Sequence, residues 1–260
     1  METKPTTGLI ERLRGERSSR PSVDPTLAGG LRAWLEDDLS LLVADLDPSE
    51  PLVLTPRSLS GDDRSAAPVG AIARGALVRC LIAERLLLGD VEHPMDDALS
   101  ALEGAPSEQA LVEAVHALDP DAFALLAAEV TAHDEVLGSC LSRIPSSWLP
   151  RLGVRMSIPL VGGRVVLAGT VDVILGPPAS LVASTCLLDI TTAPLREGAA
   201  ERLGGLALLE TLRTGAAPLR AAALSTATGD DLVIEIDDGV LVAALRRITS
   251  TVERKRADAS

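Results

Sequence analysis

The stretches GTVDVILG (169–176) and LLDITTAP (187–194) decide the fold that the sequence predicts for this chain. Each places an aspartate, Asp172 or Asp189, in or after a run of aliphatic and β-branched residues. Runs of this composition are typical of strands that are buried on at least one face. The sequence therefore predicts two neighbouring strands that each carry one carboxylate.

The residues around these stretches extend the strand pattern in both directions. Apolar residues recur at a period of two from Val154 to Leu160, and Gly162-Gly163 predicts a hairpin turn into a strand over 164–175. Further strands are predicted at 183–191, 219–225 and 232–236, and helices at 199–214 and 239–252. This order predicts an α/β fold with a mixed central sheet flanked by helices.

The first half of the chain is dominated by helical periodicity. Helices are predicted from Leu31 to Asp47, at 69–88, at 107–118 and at 121–141, with a loop through Pro56 and Gly61 to Pro68. We expect one domain over 31–252, mainly helical over 31–144 and α/β over 145–252. Residues 1–30 are predicted to be a flexible lead-in and residues 253–260 a flexible tail.

The composition limits the partners that this chain can have. Its formal net charge is −13, and its aromatic residues are confined to Trp34, Phe123 and Trp148. Nucleic-acid binding depends on a basic face that releases counterions, so an acidic body disfavours extensive direct contact with DNA or RNA. Both ends of the chain are locally basic, which is typical of solvated tails.

The cysteines and the hydropathy pattern indicate the cellular compartment of the protein. Cys80, Cys140 and Cys186 are odd in number, far apart and set in apolar stretches, as expected of reduced core thiols. Uncharged apolar runs are too short to cross a bilayer. The sequence therefore predicts a cytoplasmic protein that does not enter the membrane.

The two opening stretches carry a family resemblance. Gly169 and Asp172 match the G-x-x-D motif of the PD-(D/E)XK nuclease superfamily, and Asp189 matches the acidic residue of the D/E-x-K motif on the next strand. RGALVRCLIAERLLLG (74–89) and GGLALLETLRTGAAPLRAAALS (204–225) resemble the early helix and the later helix and strand of its RecB-like members. The resemblance implies a core similar to that of restriction endonucleases.

The same resemblance implies a metal site. Family members bind a divalent cation such as Mg²⁺ through their two motif carboxylates and one backbone carbonyl, which correspond here to Asp172, Asp189 and the carbonyl of Ile190. Three oxygens of this kind fill half of the octahedral shell that Mg²⁺ prefers. An active member would be a Mg²⁺-dependent DNA nuclease.

Two positions depart from the family pattern. Thr191 stands where the motif lysine belongs, and Arg79 stands where the early helix carries histidine. The chain contains only Lys4 and Lys255, both in the predicted tails, so no lysine of the body can replace the missing one. Losing one preorganised positive donor of this kind costs roughly a hundred- to a thousandfold in rate. Arginine supplies charge but does not act as a base.

Three hypotheses follow from these residues. The first is a catalytically inactive nuclease-fold protein that binds a protein partner or a DNA-containing complex. The second is a weakly active Mg²⁺-dependent nuclease that uses Asp172 and Asp189 with help from arginine, and the third is an unrelated α/β protein with structural aspartates. We also predict that Arg79 pairs with one of the two aspartates. Glu129 and His133, four residues apart on a predicted helix, are interpreted as a solvated face rather than part of a metal site.

Overall fold

A computed structural model describes residues 8–15, 26–60, 68–87, 89–141, 144, 146–177 and 185–258. Its α-helices before strand β2 are α1 (Leu9–Arg14), α2 (Leu27–Leu42), α3 (Pro56–Leu59), α4 (Val69–Leu87), α5 (Pro94–Glu103), α6 (Gln109–His116) and α7 (Pro120–Leu141). The strands are β1 (Leu52–Leu54), β2 (Arg151–Leu160), β3 (Val165–Leu175), β4 (Cys186–Thr191), β5 (Arg220–Ser225) and β6 (Asp231–Glu235). Helix α8 (Ala199–Thr214) joins β4 to β5, and α9 (Asp238–Asp258) follows β6.

The six strands form one mixed sheet, which confirms the predicted α/β class. β2 and β3 are the predicted hairpin, paired antiparallel from Leu160 and Val165 to Arg151 and Ile174. β4 and β5 run parallel, and α8 provides the crossover that a parallel connection requires. β6 pairs antiparallel with β5 after a turn at Gly229, which has a φ of 74°.

The sheet forks beside β3. One edge of β3 pairs with β2 along its length, while the other edge pairs with β1 at 165–167 and with β4 at 173–175. Residues 168–172 pair with neither β1 nor β4, so this edge is open where the two strands diverge. Asp172, directly before the segment of β3 that pairs with β4, therefore lies at the fork.

Helix α3 lies against the fork. A Cβ added to Gly169 on β3 would lie 3.2 Å from Pro56, and one added to Gly205 on α8 would lie 3.1 Å from Leu59. Both glycines thus allow a close approach that a larger side chain would block. Thr55 caps α3 by accepting a hydrogen bond from the N–H of Ser58 and begins the helix directly before Pro56.

Helices cover both faces of the sheet and enclose two apolar clusters. The first cluster includes side chains from α1, α4, α5, α6 and α7, and the second includes side chains from α2, α8 and α9. On β4, Cys186 and Leu188 belong to the first cluster and Leu187 to the second. This alternation confirms that β4 is buried on both faces.

The chain ends differ from the sequence prediction. Leu9, Ile10 and Leu13 of α1 are buried in the first cluster, and α9 continues to Asp258. Residues 9–14 and 253–258, predicted to be flexible, are therefore helical. They become ordered because α1 packs its apolar face against the sheet and Arg256 pairs with Asp45 after α2. Residues 27–30, also predicted to be flexible, belong to α2, which begins at Leu27 rather than Leu31. Residues 1–7 and 16–25 of the predicted lead-in lie outside the described residues.

Two further elements lie where a loop was predicted. β1 and α3 occupy 52–59, a stretch too short for either period to be recognised. Helix α5 was also missed, although Pro94 at its start and Asp96 and Asp97 in its first turn are ordinary helix-start signals. Across the described ranges, the helices are all too short or too polar to cross a membrane.

Candidate functional site

Asp172 and Asp189 meet where β3 and β4 stop pairing. The last paired residues are Val173 and Leu188, so Asp172 and Asp189 are next in the same register. Instead of a backbone bond, the Asp172 Oδ2 atom accepts a hydrogen bond from the Ile190 N–H at 2.6 Å. The N–H and C=O of one strand residue point to the same edge, so the Ile190 carbonyl faces this edge too. The two carboxylates and the carbonyl singled out from sequence are thus brought together.

A local distortion of the hairpin accompanies this arrangement. The β2–β3 ladder is interrupted between Leu152–Val173 and Val154–Val171, where Gly153 stands opposite Asp172. Gly153 has a φ of 54°, a conformation that side chains with a Cβ disfavour. The distortion coincides with a change of face, because Val171 belongs to the second apolar cluster and Val173 to the first.

Asp189 is held by an arginine. The Asp189 side chain is 6% exposed, and its Oδ1 atom accepts a hydrogen bond from the Arg202 guanidinium at 2.8 Å. Arg202 lies in the first turn of α8, the crossover helix that begins after β4. A charge-assisted bond of this type partly offsets the cost of burying the carboxylate.

Burial and mutual repulsion govern the protonation of the pair. Burial, followed by the charge of Asp189, raises the pKa of Asp172 to about 6, although the Ile190 hydrogen bond and the charges of Arg79 and Arg202 oppose the shift. Burial also raises the pKa of Asp189, against the influence of Arg202 and Arg57. Asp172 therefore exchanges its proton near pH 6, closer to neutrality than an ordinary aspartate.

Arg79 does not make the predicted ion pair with either aspartate. Its side chain is exposed on α4, from where its charge acts on Asp172 without a direct hydrogen bond. The arginine that contacts the acid pair is Arg202 instead, because α8 folds back over the end of β4. The early helix does lie beside the motif, since a Cβ added to Gly75 would be 3.9 Å from the Thr192 hydroxyl.

Thr191 has a local structural role. Its hydroxyl accepts a hydrogen bond from the Ala193 N–H at 3.2 Å, and its carbonyl accepts bonds from the N–H and the hydroxyl of Thr226. These bonds fix the turn after β4 and join it to the end of β5. Thr191 is thus a neutral residue whose side chain is engaged with the neighbouring backbone.

The donors present at the pair suit a hard cation only in part. Asp172, Asp189 and the Ile190 carbonyl are oxygen donors of the kind that Mg²⁺ prefers. One oxygen of each carboxylate, however, already accepts a hydrogen bond, from Ile190 and from Arg202 respectively. In the described part of the chain, no three His, Cys, Asp or Glu side chains converge on one point. A bound cation would need water or backbone for its remaining ligands.

The helix face around His133 is buried rather than solvated, contrary to the sequence interpretation. His133 is 7% exposed and Asp134 2%, and Asp134 accepts two hydrogen bonds from Arg85 of α4. Glu129 pairs with Arg74, also on α4. Burial and then the charge of Arg74 lower the pKa of His133, against a backbone hydrogen bond at Thr226 and the charge of Glu129. These contacts join α7 to α4.

Sequence reasoning missed Arg202 and Arg57. Arg202 follows Asp189 by a loop and one helical turn, so its approach depends on where α8 begins. Arg57 lies on the four-residue helix α3, which has no periodic signal. A search for basic residues in the first turn of the helix after the motif would have found Arg202.

Comparisons with known proteins leave the family undetermined. No protein-family model and no curated protein matches the chain. Among solved structures, the chain is similar to the crystal structure of SSO0001, with 12% identity, coverage of 88% of this chain and 86% of that one, and a TM-score of 0.35. A likeness at this level bears on neither family nor activity.

Proposed function

We propose that this chain is a RecB-like PD-(D/E)XK-fold protein that has lost catalysis and acts by binding a protein partner or a DNA-containing complex. The observation that carries the proposal is the 2.8 Å contact between Arg202 and Asp189. A guanidinium neutralises the second motif carboxylate from within the fold. Among the described residues, Cys80, Cys140 and Cys186 are not joined in disulfides, which supports a place in the cytoplasm.

Three properties of the site support the loss of catalysis. One oxygen of Asp189 that a cation would use accepts a hydrogen bond from Arg202, and one oxygen of Asp172 accepts a hydrogen bond from the Ile190 N–H. Thr191 provides no charge at the lysine position and is bound into a turn. Phosphodiester cleavage needs positive charge beside the attacking water and a group able to accept its proton. Arginine side chains supply the positive charge but stay protonated, so they do not accept the proton of the water.

A weakly active Mg²⁺-dependent nuclease is the second candidate, and one observation favours it. Burial raises the pKa values of both carboxylates, and the charge of Asp189 raises that of Asp172 further, so a cation that neutralises the pair would stabilise it. In that case Asp172, Asp189 and the Ile190 carbonyl would hold the ion, and Arg202 would turn away from Asp189.

Titration calorimetry with MgCl₂ and MnCl₂ separates these two candidates. The proposal expects no saturable binding by the wild-type protein and no cleavage of single- or double-stranded DNA. The matched control for Asp172→Ala and Asp189→Ala is Asp38→Ala, which removes an exposed carboxylate from α2. Saturable metal binding that disappears in the two site variants but persists in Asp38→Ala, together with cleavage, would establish the nuclease instead.

Thr191→Lys provides a second test of the same question. In the proposed inactive protein, Arg202 still neutralises Asp189, so a lysine at this position restores no metal site and no cleavage. Thr191→Lys combined with Arg202→Ala frees the pair and is expected to gain Mn²⁺ binding. If neither variant binds metal, the third hypothesis, an unrelated α/β protein with structural aspartates, gains support.

A further inference from the structure

Three arginines from three different elements surround the acid pair. Arg202 of α8 contacts Asp189 directly, Arg79 of α4 acts on Asp172, and Arg57 of α3 acts on Asp189. Three guanidinium groups thus stand against two carboxylates.

The backbone fixes the elements that carry these arginines. Arg57 follows Pro56, which lies against Gly169 on β3, and the next turn of α3 contacts Gly205 on α8 through Leu59. Gly75 of α4 lies near Thr192, just after β4, and Arg79 is one helical turn further along α4. The three helices that carry these arginines therefore all lie beside the fork and the acid pair.

Among the described residues, Arg57 and Arg79 have no acidic partner. Arginines that pair with a carboxylate are common elsewhere in the described chain and include Arg12, Arg32, Arg74, Arg85, Arg213, Arg220, Arg247 and Arg256. Arg57 and Arg79 are exposed, and within the described ranges neither side chain makes an ion pair or a hydrogen bond. Their donors are free to meet a ligand.

We infer that Arg57 and Arg79, supported by Arg202, form a binding site for a phosphate group that is held directly, without a divalent cation. The guanidinium fork matches the oxygens of a phosphate and donates two hydrogen bonds at once. Arg202 removes the repulsion that Asp189 would otherwise exert on the anion. The inference rests on the proposed function, because it states that the partner bound at the inactive site carries a phosphate group.

Metal-free binding distinguishes this site from a nuclease centre. A cation placed between carboxylates and phosphate would make binding depend on Mg²⁺, whereas arginine contacts persist when all divalent ions are removed. The binding is also expected to weaken as salt concentration rises, because the contacts are ionic and two of the three arginines are exposed.

The test uses the full chain in excess EDTA. A fluorescein-labelled single-stranded oligonucleotide is followed by anisotropy, and inorganic phosphate and pyrophosphate are added as competitors and titrated alone by calorimetry. The variants are Arg57→Ala, Arg79→Ala and the double variant. The control, Arg14→Ala with Lys255→Ala, removes the same charge from α1, beside Cys186 at the other end of β4, and from the last turns of α9.

We expect the wild-type protein to bind at least one of the three probes in EDTA. Each arginine variant should weaken that binding by about tenfold, the value of a lost charge-assisted contact, and the control by less than about twofold. Binding of phosphate and pyrophosphate alone assigns a small phosphorylated ligand, and binding of the oligonucleotide with competition by phosphate assigns a nucleic-acid strand. Absence of binding by all three probes in EDTA, or equal losses in the double variant and the control, would overturn the inference.

These outcomes are independent of the metal titration. If the protein binds neither a cation nor phosphate, the proposed loss of catalysis stands and only the phosphate site is refuted. A protein that binds phosphate only when Mg²⁺ is present would contradict both proposals.

Discussion

The Asp172 carboxylate takes the place of a strand acceptor, because it binds the Ile190 N–H at 2.6 Å where the β3–β4 ladder ends. A side chain in this role lets the two strands separate without leaving the N–H of Ile190 unpaired. The forked sheet is therefore held together at its base by an ionisable group. Its stability should depend on the protonation of that group.

The first prediction concerns Asp172→Asn. The folded-state pKa of Asp172, about 6, lies above its ordinary value of 3.8, so folding favours the protonated form. The corresponding stability is fully present below pH 3.8 and is lost as pH rises through about 6. The asparagine variant keeps an oxygen acceptor for Ile190 without the charge, and should be more stable than wild type by about 2–3 kcal/mol near pH 7.5.

Urea unfolding at several pH values measures this effect. The advantage of Asp172→Asn should shrink between about pH 7 and pH 5, whereas the exposed control Asp38→Asn should show no such trend. An asparagine variant that is less stable than wild type at every pH would show that the carboxylate charge is needed for the hydrogen bond.

The second prediction concerns Arg202. Arg202→Ala leaves the buried Asp189 carboxylate without its partner and should destabilise the fold by about 2–3 kcal/mol, less than for a fully buried pair because Arg202 is 32% exposed. Adding Asp189→Asn should restore much of the loss, since the unpaired charge is removed. A double-mutant cycle by urea unfolding measures the coupling.

The matched control is the surface pair of Arg32 and Glu36 on α2. Arg32→Ala should cost no more than about 1 kcal/mol, because exposed pairs of this spacing contribute little. Equal costs for Arg202→Ala and Arg32→Ala would contradict the buried role of Arg202.

The third prediction separates packing from chemistry at Gly169. Gly169→Ala places a Cβ 3.0 Å from Leu209 and 3.2 Å from Pro56, which should cost about 1–3 kcal/mol by overpacking. The control Gly70→Ala meets nothing within 4 Å on helix α4, and alanine should be neutral or stabilising there by up to about 1 kcal/mol. Thermal unfolding compares the two variants, and a neutral Gly169→Ala would show that α3 can retreat from the fork.

The fourth prediction concerns His133. Burial and then the charge of Arg74 lower its pKa below 6.5, so the folded protein binds this proton more weakly than the unfolded chain does. The stability that this group provides is present above pH 6.5 and is lost as pH falls below it. Proton NMR should show the His133 ring titrating below pH 6.5, and His133→Gln should reduce the loss of stability on acidification. Titration of the ring above pH 6.5 would contradict the burial argument.

The sequence predicted the fold well where a local pattern repeats. The β2–β3 hairpin, the doubly buried β4 and the crossover helix α8 each span enough residues to display their period. β1 and α3 could not be recognised, because they contain three and four residues and owe their conformation to the fork. α1 was missed for a similar reason: six residues show little periodicity, and Leu9, Ile10 and Leu13 become ordered through the sheet they cover.

The sequence also predicted part of the candidate site. Asp172 and Asp189 were expected on adjacent strands, and the register places them next to each other. The pairing of an arginine with the acids was anticipated in kind but assigned to Arg79, because sequence spacing does not show how far α8 folds back over β4. The expected exposure of His133 was wrong, because the charged residues around it pair with arginines of α4 instead of facing solvent.

Helix α1 sets where this polypeptide can be shortened. Its Arg12 pairs with Asp231 on β6, and the Leu13 carbonyl accepts a hydrogen bond from the buried Arg220 of β5. A chain that begins at Leu31, the boundary that periodicity suggests, would lack the apolar side chains of α1 that cover the sheet. The Arg220 side chain, which is buried in the full chain, would then be exposed to solvent. The shortest autonomous form of this protein therefore starts ahead of Leu9, and an expression trial that begins later would yield an aggregation-prone product.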